Sequence, residues 1–367
     1  MPSPWSFNYR LSLMALGLLL ALSCPLSAAA DKTKHHSKKT KKLDENNESP
    51  KITSAHYRIY LGDGTQSTQD LLLRTLTTAQ VVFVGESHDD PVAHYLERFL
   101  LEKLHDQAQQ QSSDIALSLE MFERDVQGIV DEYLTDLITE KHFLASSRPW
   151  KNYNKDYRPL IEYAKEHQLE VIAANAPRRY VNRVGRLGRH SLKLIPNGSR
   201  RGLPPLPYGR ASTKYRAKFQ AIISEMHSPP TKTDHKKDSK KHPHPKPTPS
   251  KEKLKEKSLK QPSFDMEKAL DAQSLWDATM AYSICERLNR SPHLRIMHVN
   301  GSFHTSDRLG ICDHLKCYRP NTSFVVVTII PHEGFPKFDP KKMNGKGDFV
   351  IVTDASLPRS YVSKFKK

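Results

Sequence analysis

Val81-Val82-Phe83-Val84-Gly85-Glu86-Ser87-His88 and Ile296-Met297-His298-Val299-Asn300-Gly301-Ser302-Phe303-His304 share one pattern: an apolar run, a glycine, and a histidine three residues on. Each run predicts a buried strand, and each glycine a sharp turn at its end, because glycine accepts backbone angles closed to other residues. Further runs at 115–119, 171–174, 324–330 and 349–352, with 81–84 and 295–299, make six strand candidates. Helix-period stretches separate the first four. That alternation predicts an α/β fold, a mainly parallel or mixed sheet flanked by helices. In such a sheet, chemistry gathers outside the carboxyl ends of the strands, so the two tetrads are expected to face one crevice.

One helix start is well marked. Asp90 suits the N-cap and Pro91 the first helical position, and Val92, Tyr95, Leu96, Phe99 and Leu100 give the apolar stripe. His88 then lies beside a helix N-terminus, whose dipole favours an anionic partner. Two more helices are expected, at 157–167 and 269–288.

Residues 1–30 read as a cleaved secretory signal: Arg10, a short apolar stretch from Leu11 to Leu22, then Ala28-Ala29-Ala30. The stretch is shorter than the roughly 20 apolar residues a membrane span needs. The mature chain is therefore expected to be exported, periplasmic or envelope-associated, with Cys24 as a candidate lipid anchor in a poor sequence context. In an oxidising compartment Cys312 and Cys317 would close a small disulfide loop, leaving Cys285 as a buried thiol.

The formal charge of +17 is concentrated. Residues 31–51 carry +3 and residues 228–262 carry +7, both without aromatics and rich in Lys, Ser and Thr. Such stretches cannot bury enough surface to offset their ordering entropy, so both are expected to be disordered, a linker and an insertion. A solvated spacer, or contact with an anionic envelope surface, fits them better than specific nucleic-acid reading. The ordered part is then one domain in two pieces, 52–227 and 263–367. His235, His242 and His244 in the insertion are spaced too loosely for a defined metal site.

The strand ends deliver Glu86, His88, Glu120, Asn175 and His304, with Arg178 and Arg179 just beyond. Carboxylates and imidazoles hold divalent metals or pass protons near neutral pH. Taken singly, Glu120 suits a salt bridge to Arg124 and His304 a loop cap; together they suggest a site. Tyr153, Tyr157, Tyr180, Tyr208 and Tyr215 are mostly expected to be packing residues, although a phenolate can ligate haem iron. No Walker loop, GxSxG elbow, HExxH or GxGxxG stands at a strand-to-helix turn.

Six blocks carry a family resemblance: Phe83 to Asp89, Ser118 to Asp125, Asp156 to Leu160, Ala173 to Arg179, Trp276 to Ala281 and His298 to His304. Together they resemble the ChaN-type haem-binding uptake proteins, across essentially the whole ordered part. That group is related to the Tiki/TraB proteases and the erythromycin esterases, whose mark is paired GxxH motifs plus a glutamate, here Gly85/His88, Gly301/His304 and Glu120. The resemblance implies an exported protein of iron or haem uptake, binding haem and pairing into a haem-linked homodimer. Tyr208 or Tyr215 would ligate the iron, with Arg178 or Arg179 on the propionates. The runner-up it implies is a metal-assisted hydrolase: His88, Glu120 and His304 would hold a divalent ion, and Glu86 would act as base on bound water. On either reading His88, His304, Glu86 and Glu120 should line a single pocket.

Overall fold

The structure, a computed structural model, describes residues 51–227 and 265–361. The expectations for 1–30, for 31–51 apart from Lys51, and for 228–262 lie outside the described residues. Seven strands form one sheet: β1 (Tyr57–Leu61), β2 (Val81–Glu86), β3 (Ile115–Glu123), β4 (Glu170–Asn175), β5 (Arg295–Gly301), β6 (Phe324–His332) and β7 (Phe349–Asp354). Their order is β1-β7-β6-β2-β5-β3-β4. β1 pairs antiparallel with β7, and the remaining pairings are parallel, so the sheet is mixed. All six expected strands are present; β1 is an addition at the edge. Strand β5, from beyond the Lys-rich stretch, lies between β2 and β3 from before it. The two pieces of chain thus share one sheet.

Helices cover both faces, which is why the strand runs are continuously apolar. Val82, Val84, Leu117, Leu119, Met297 and Val299 face one core, packed with Val92, Leu96, Leu100 and Leu101 of the Pro91–Gln110 helix. Val81, Phe83, Ala116 and Ile296 face the other, against Met280, Ala281, Ile284 and Leu288 of the Met266–Arg290 helix. The 158–166 helix is Arg158–Glu166, within a residue of its expected ends.

Three local expectations are corrected. The disulfide is not formed: Cys312 is buried and Cys317 exposed on the same helix, Ile311–Tyr318. Five positions along a helix lie about 140° apart round its axis, so the thiols point to different sides. Tyr95 is exposed, while His94 and Glu97 occupy the buried face of their helix. Neither Gly85 nor Gly301 makes a left-handed turn; both sit inside strands, and Gly301 has φ −58. What Gly85 supplies is space, since a Cβ there would lie 3.0 Å from the Ser302 Cα and 3.1 Å from Thr305 Oγ1.

Asp90 joins the helix start to the sheet edge. Its side chain accepts from the Val92 N–H at 3.0 Å and from the Thr353 hydroxyl at 2.5 Å. Asp90→Ala is expected to cost about 2 kcal/mol in urea unfolding, a lost cap plus an orphaned buried hydroxyl. Adding Thr353→Val should recover part of that loss.

Candidate functional site

β2, β5 and β3 are neighbours running the same way, so their carboxyl ends deliver side chains to one edge. Glu86 is the last residue of β2, Glu120 lies within β3, and His304 closes the short 3-10 turn Ser302–His304 after β5. Asn300 braces that turn, its Nδ2 donating to Gly301 O and Thr305 Oγ1, both at 2.9 Å.

The backbone N–H of Gly301 donates to Glu120 Oε2 at 2.7 Å, tying β5 to β3 at the site. A Cβ on Gly301 would sit 2.7 Å from His88 Cε1 and Nε2 and 3.7 Å from Glu120 Oε2. The imidazole of His88 therefore occupies space that only glycine leaves, which brings it beside Glu120. Both GxxH histidines and Glu120 meet at one edge, as the sequence pattern requires.

Each histidine is oriented by a carboxylate. His304 Nδ1 donates to Asp277 Oδ1 at 2.5 Å, and its Nε2 lies 3.5 Å from Glu120 Oε1. Burial disfavours the imidazolium of His304, but Glu120 and Asp277 outweigh it and push its pKa up to about 10. Burial likewise raises Glu120, and the opposing charge of His304, its hydrogen bond and the Gly301 N–H bring it down to about 2. His88 Nδ1 donates to Glu86 Oε1 at 2.8 Å; burial opposes its charge, and that bond raises it to about 8. Trp150 packs edge-on against the His88 ring, centroids 4.8 Å apart.

Glu86 behaves differently. Its burial is nearly complete at 1% exposure, and Glu97, at 0%, is its neighbour. Burial first, then the Glu97 charge, raises Glu86 to about 7, and burial raises Glu97 to about 7 as well. His94 stands between them, its Nδ1 3.2 Å from Glu86 Oε2 and 3.3 Å from Glu97 Oε2. Tyr157 donates its hydroxyl to Glu86 Oε1 at 2.7 Å.

A cleft of about 700 Å³ opens on the other side, lined by Glu120, His304, Trp150, Trp276, Arg178 and Arg179 among others. Arg179 pairs with Asp125 at 2.5 Å, and Arg178 has no ion pair among the described residues. Arg124 pairs with Glu286 at 2.8 Å, not with Glu120. Neither candidate tyrosine lines that cleft. Tyr208 lines a separate cavity with Arg189 and Leu206, its hydroxyl donating to Asp271 O at 2.8 Å. Tyr215 is buried behind the 3-10 turn, 3.0 Å from where a Gly310 Cβ would be, and burial, with the Asp277 carboxylate beside it, pushes its pKa well up.

Among the described residues, the three donors gathered within 4.8 Å of one another belong to Glu86, His94 and Glu97, rather than to His88, Glu120 and His304. His94, Glu97 and Asp277 went unread in the sequence. His94 and Glu97 sit three apart just past a marked N-cap, which puts them on one helix face, and Asp277 follows Trp276 in a block that carries the resemblance.

Residues 72–315 match the family described as haem-binding uptake, Tiki superfamily, ChaN. The fold resembles that of ChaN of Campylobacter jejuni, solved with cofacially bound haem: TM-score 0.57 and 17% identity over 82% of this chain and 98% of that one. An erythromycin esterase, EreC, in its open conformation, shares 12% identity with a TM-score of 0.39, covering 81% and 83% of the two chains. No curated protein matches the chain.

Gly301→Ala should force His88 from its seat, costing about 1–3 kcal/mol and letting the His88 pKa fall from about 8 towards its ordinary value, as NMR titration would show. The pH dependence follows from the signs. His304 has a raised pKa, so its stabilisation is complete below 6.5 and is lost as pH rises through about 10. Glu120 has a lowered one, so its contribution is complete above 4.5 and is lost as pH falls towards about 2. Thermal melts from pH 7 to 10 should therefore show a steeper decline for the wild type than for His304→Gln.

Proposed function

The chain belongs to the haem-binding uptake family of the Tiki superfamily, ChaN, and on that premise we propose that it binds haem in the cleft bounded by Trp150, Trp276, Arg178 and Arg179. The observation that carries this reading is the pairing of aromatic walls with cations on one cleft. Haem is planar and apolar with two anionic propionates. Tryptophan faces suit the first property and guanidinium forks the second. When bound, the group supplies an iron centre that takes an axial donor. Of the ordinary axial donors, His304 already lines the cleft, with Nδ1 bonded to Asp277 and Nε2 3.5 Å from Glu120 Oε1, so it would take iron at Nε2 on giving up the proton that the two carboxylates hold there. A carboxylate behind a ligating imidazole fixes its orientation and raises its basicity. Neither Tyr208 nor Tyr215 lines this cleft, so His304 is assigned as the iron donor.

Haem titrated into the purified protein should give a saturable Soret band. Arg178→Ala with Arg179→Ala should weaken binding about tenfold, the worth of one or two solvent-accessible charge-assisted bonds. His304→Ala should change the axial-ligand spectrum, while Tyr208→Phe and Tyr215→Phe leave it unchanged. Lack of saturation would overturn the reading, and a spectrum altered by either tyrosine variant instead would reassign the iron donor.

The proposal extends to an exported protein whose segment 1–30 is removed, which intact-mass measurement of the mature chain tests. It extends also to two copies pairing round haem, tested by sedimentation with and without haem. A second reading, hydrolysis, draws support from Glu120 standing between two carboxylate-backed imidazoles, an arrangement able to activate water. If it is right, Glu120→Gln abolishes ester or peptide cleavage while haem titration still saturates.

A further inference from the structure

Behind the cleft lies a charge imbalance that haem binding does not use. Glu86 and Glu97 are 1% and 0% exposed, and their ion-pair partners are imidazoles, with no Lys or Arg among the described residues pairing with either. Two neighbouring carboxylates removed from water are compensated either by a proton held between them or by a cation. Glu86 Oε2 and Glu97 Oε1 are also buried without a hydrogen-bond partner. Buried polar atoms are rarely left so, and an ion is one of the standard explanations.

The donor geometry answers the same need. His94 and Glu97 project from one face of the Pro91–Gln110 helix, and Glu86 reaches them from the end of β2. His94 Nδ1 is 3.2 Å from Glu86 Oε2 and 3.3 Å from Glu97 Oε2. Donors at about 2.0–2.2 Å from one ion stand about 3–3.6 Å apart. The surrounding groups are those of a metal site. The other oxygen of Glu86 is fixed by Tyr157 at 2.7 Å and His88 at 2.8 Å. His94 Nε2, on the far side of the ring, lies 3.5 Å from Asp156 Oδ2, itself held by Asn152 at 2.7 Å and Ser360 at 2.9 Å. At 3.5 Å that carboxylate faces the ring without hydrogen-bonding to it, within a small movement of the backing that ligating imidazoles commonly have.

We propose that Glu86, His94 and Glu97 bind one divalent transition-metal ion through Glu86 Oε2, His94 Nδ1 and a Glu97 carboxylate oxygen, at a site separate from the haem cleft. One nitrogen with two carboxylates suits Mn²⁺, Fe²⁺ or Zn²⁺. Because Glu86 would hold the ion with one oxygen and His88 with the other, occupancy acts on the position of His88.

Chelator-treated full-length protein, free of haem, is titrated with Mn²⁺ and separately with Zn²⁺, by paramagnetic resonance and calorimetry. Uptake of one ion per chain is expected for at least one of the metals. Glu97→Gln, which keeps the shape of the side chain, and His94→Gln should each weaken it at least tenfold, while His304→Ala and Arg178→Ala leave it unchanged. Circular dichroism monitors folding; a variant that does not fold is replaced by Glu97→Met, which removes the carboxylate and keeps the volume. Saturable uptake of neither metal overturns the proposal, as does uptake that survives both Glu97 and His94 substitutions. Haem titration of the same samples separates this result from the cleft reading, since either can fail alone.

Discussion

A carboxylate holding a backbone N–H organises this edge of the sheet: Glu120 accepts from Gly301 at 2.7 Å. Glu120 comes from β3 and Gly301 ends β5, so the bond unites two pieces of chain separated by the Lys-rich stretch. It also places the vacancy left by the missing Gly301 side chain where His88 needs to stand. Without that vacancy the histidine of the first tetrad and the glutamate of β3 could not approach. The second tetrad thus supplies a ligand-like histidine and, three residues earlier, the room for the other one.

Around this point buried charge is managed in two opposite ways. Glu120, His304 and Asp277 form an alternating row in which each ion is stabilised by its neighbours, so the carboxylate of Glu120 is driven down and the imidazole of His304 up. Glu86 and Glu97 sit side by side, and both are driven up. The first set balances its charges internally. The second is a site with a deficit of positive charge, and His88, hydrogen-bonded to one and close to the other, is where the two meet.

The strands were legible because burial on both faces leaves an uninterrupted apolar signature, and the Asp90-Pro91 start was legible because capping is local chemistry. β1 is half-buried at an edge, and its alternating Tyr57-Arg58-Ile59-Tyr60-Leu61 is a weaker signal. That Glu86, His88, Glu120 and His304 reach one sheet edge followed from strand direction; that all four would line one pocket did not hold, since Glu120 and His304 line the cleft and Glu86 is buried. The reason for the glycines did not, since a turn and a close approach ask for the same residue. His94 and Glu97 were hidden by their context: polar residues beside Tyr95 in an amphipathic helix read as its solvent face, and only tertiary packing shows Tyr95 outside and the pair inside. Tyr208 and Tyr215 were candidates by chemistry, but which way a phenol points is decided by contacts such as Asp271 O, from a helix far along the chain.

The chain has three tryptophans, and one of them, Trp5, lies within the first thirty residues. The other two, Trp150 and Trp276, both line the cleft. Indole emission from a chain lacking residues 1–30 therefore originates at the cleft and nowhere else. The molecule carries its own optical gauge of that cavity, in which quenching by an absorbing occupant reports arrival and departure in real time, with no dye attached and no background from the rest of the fold.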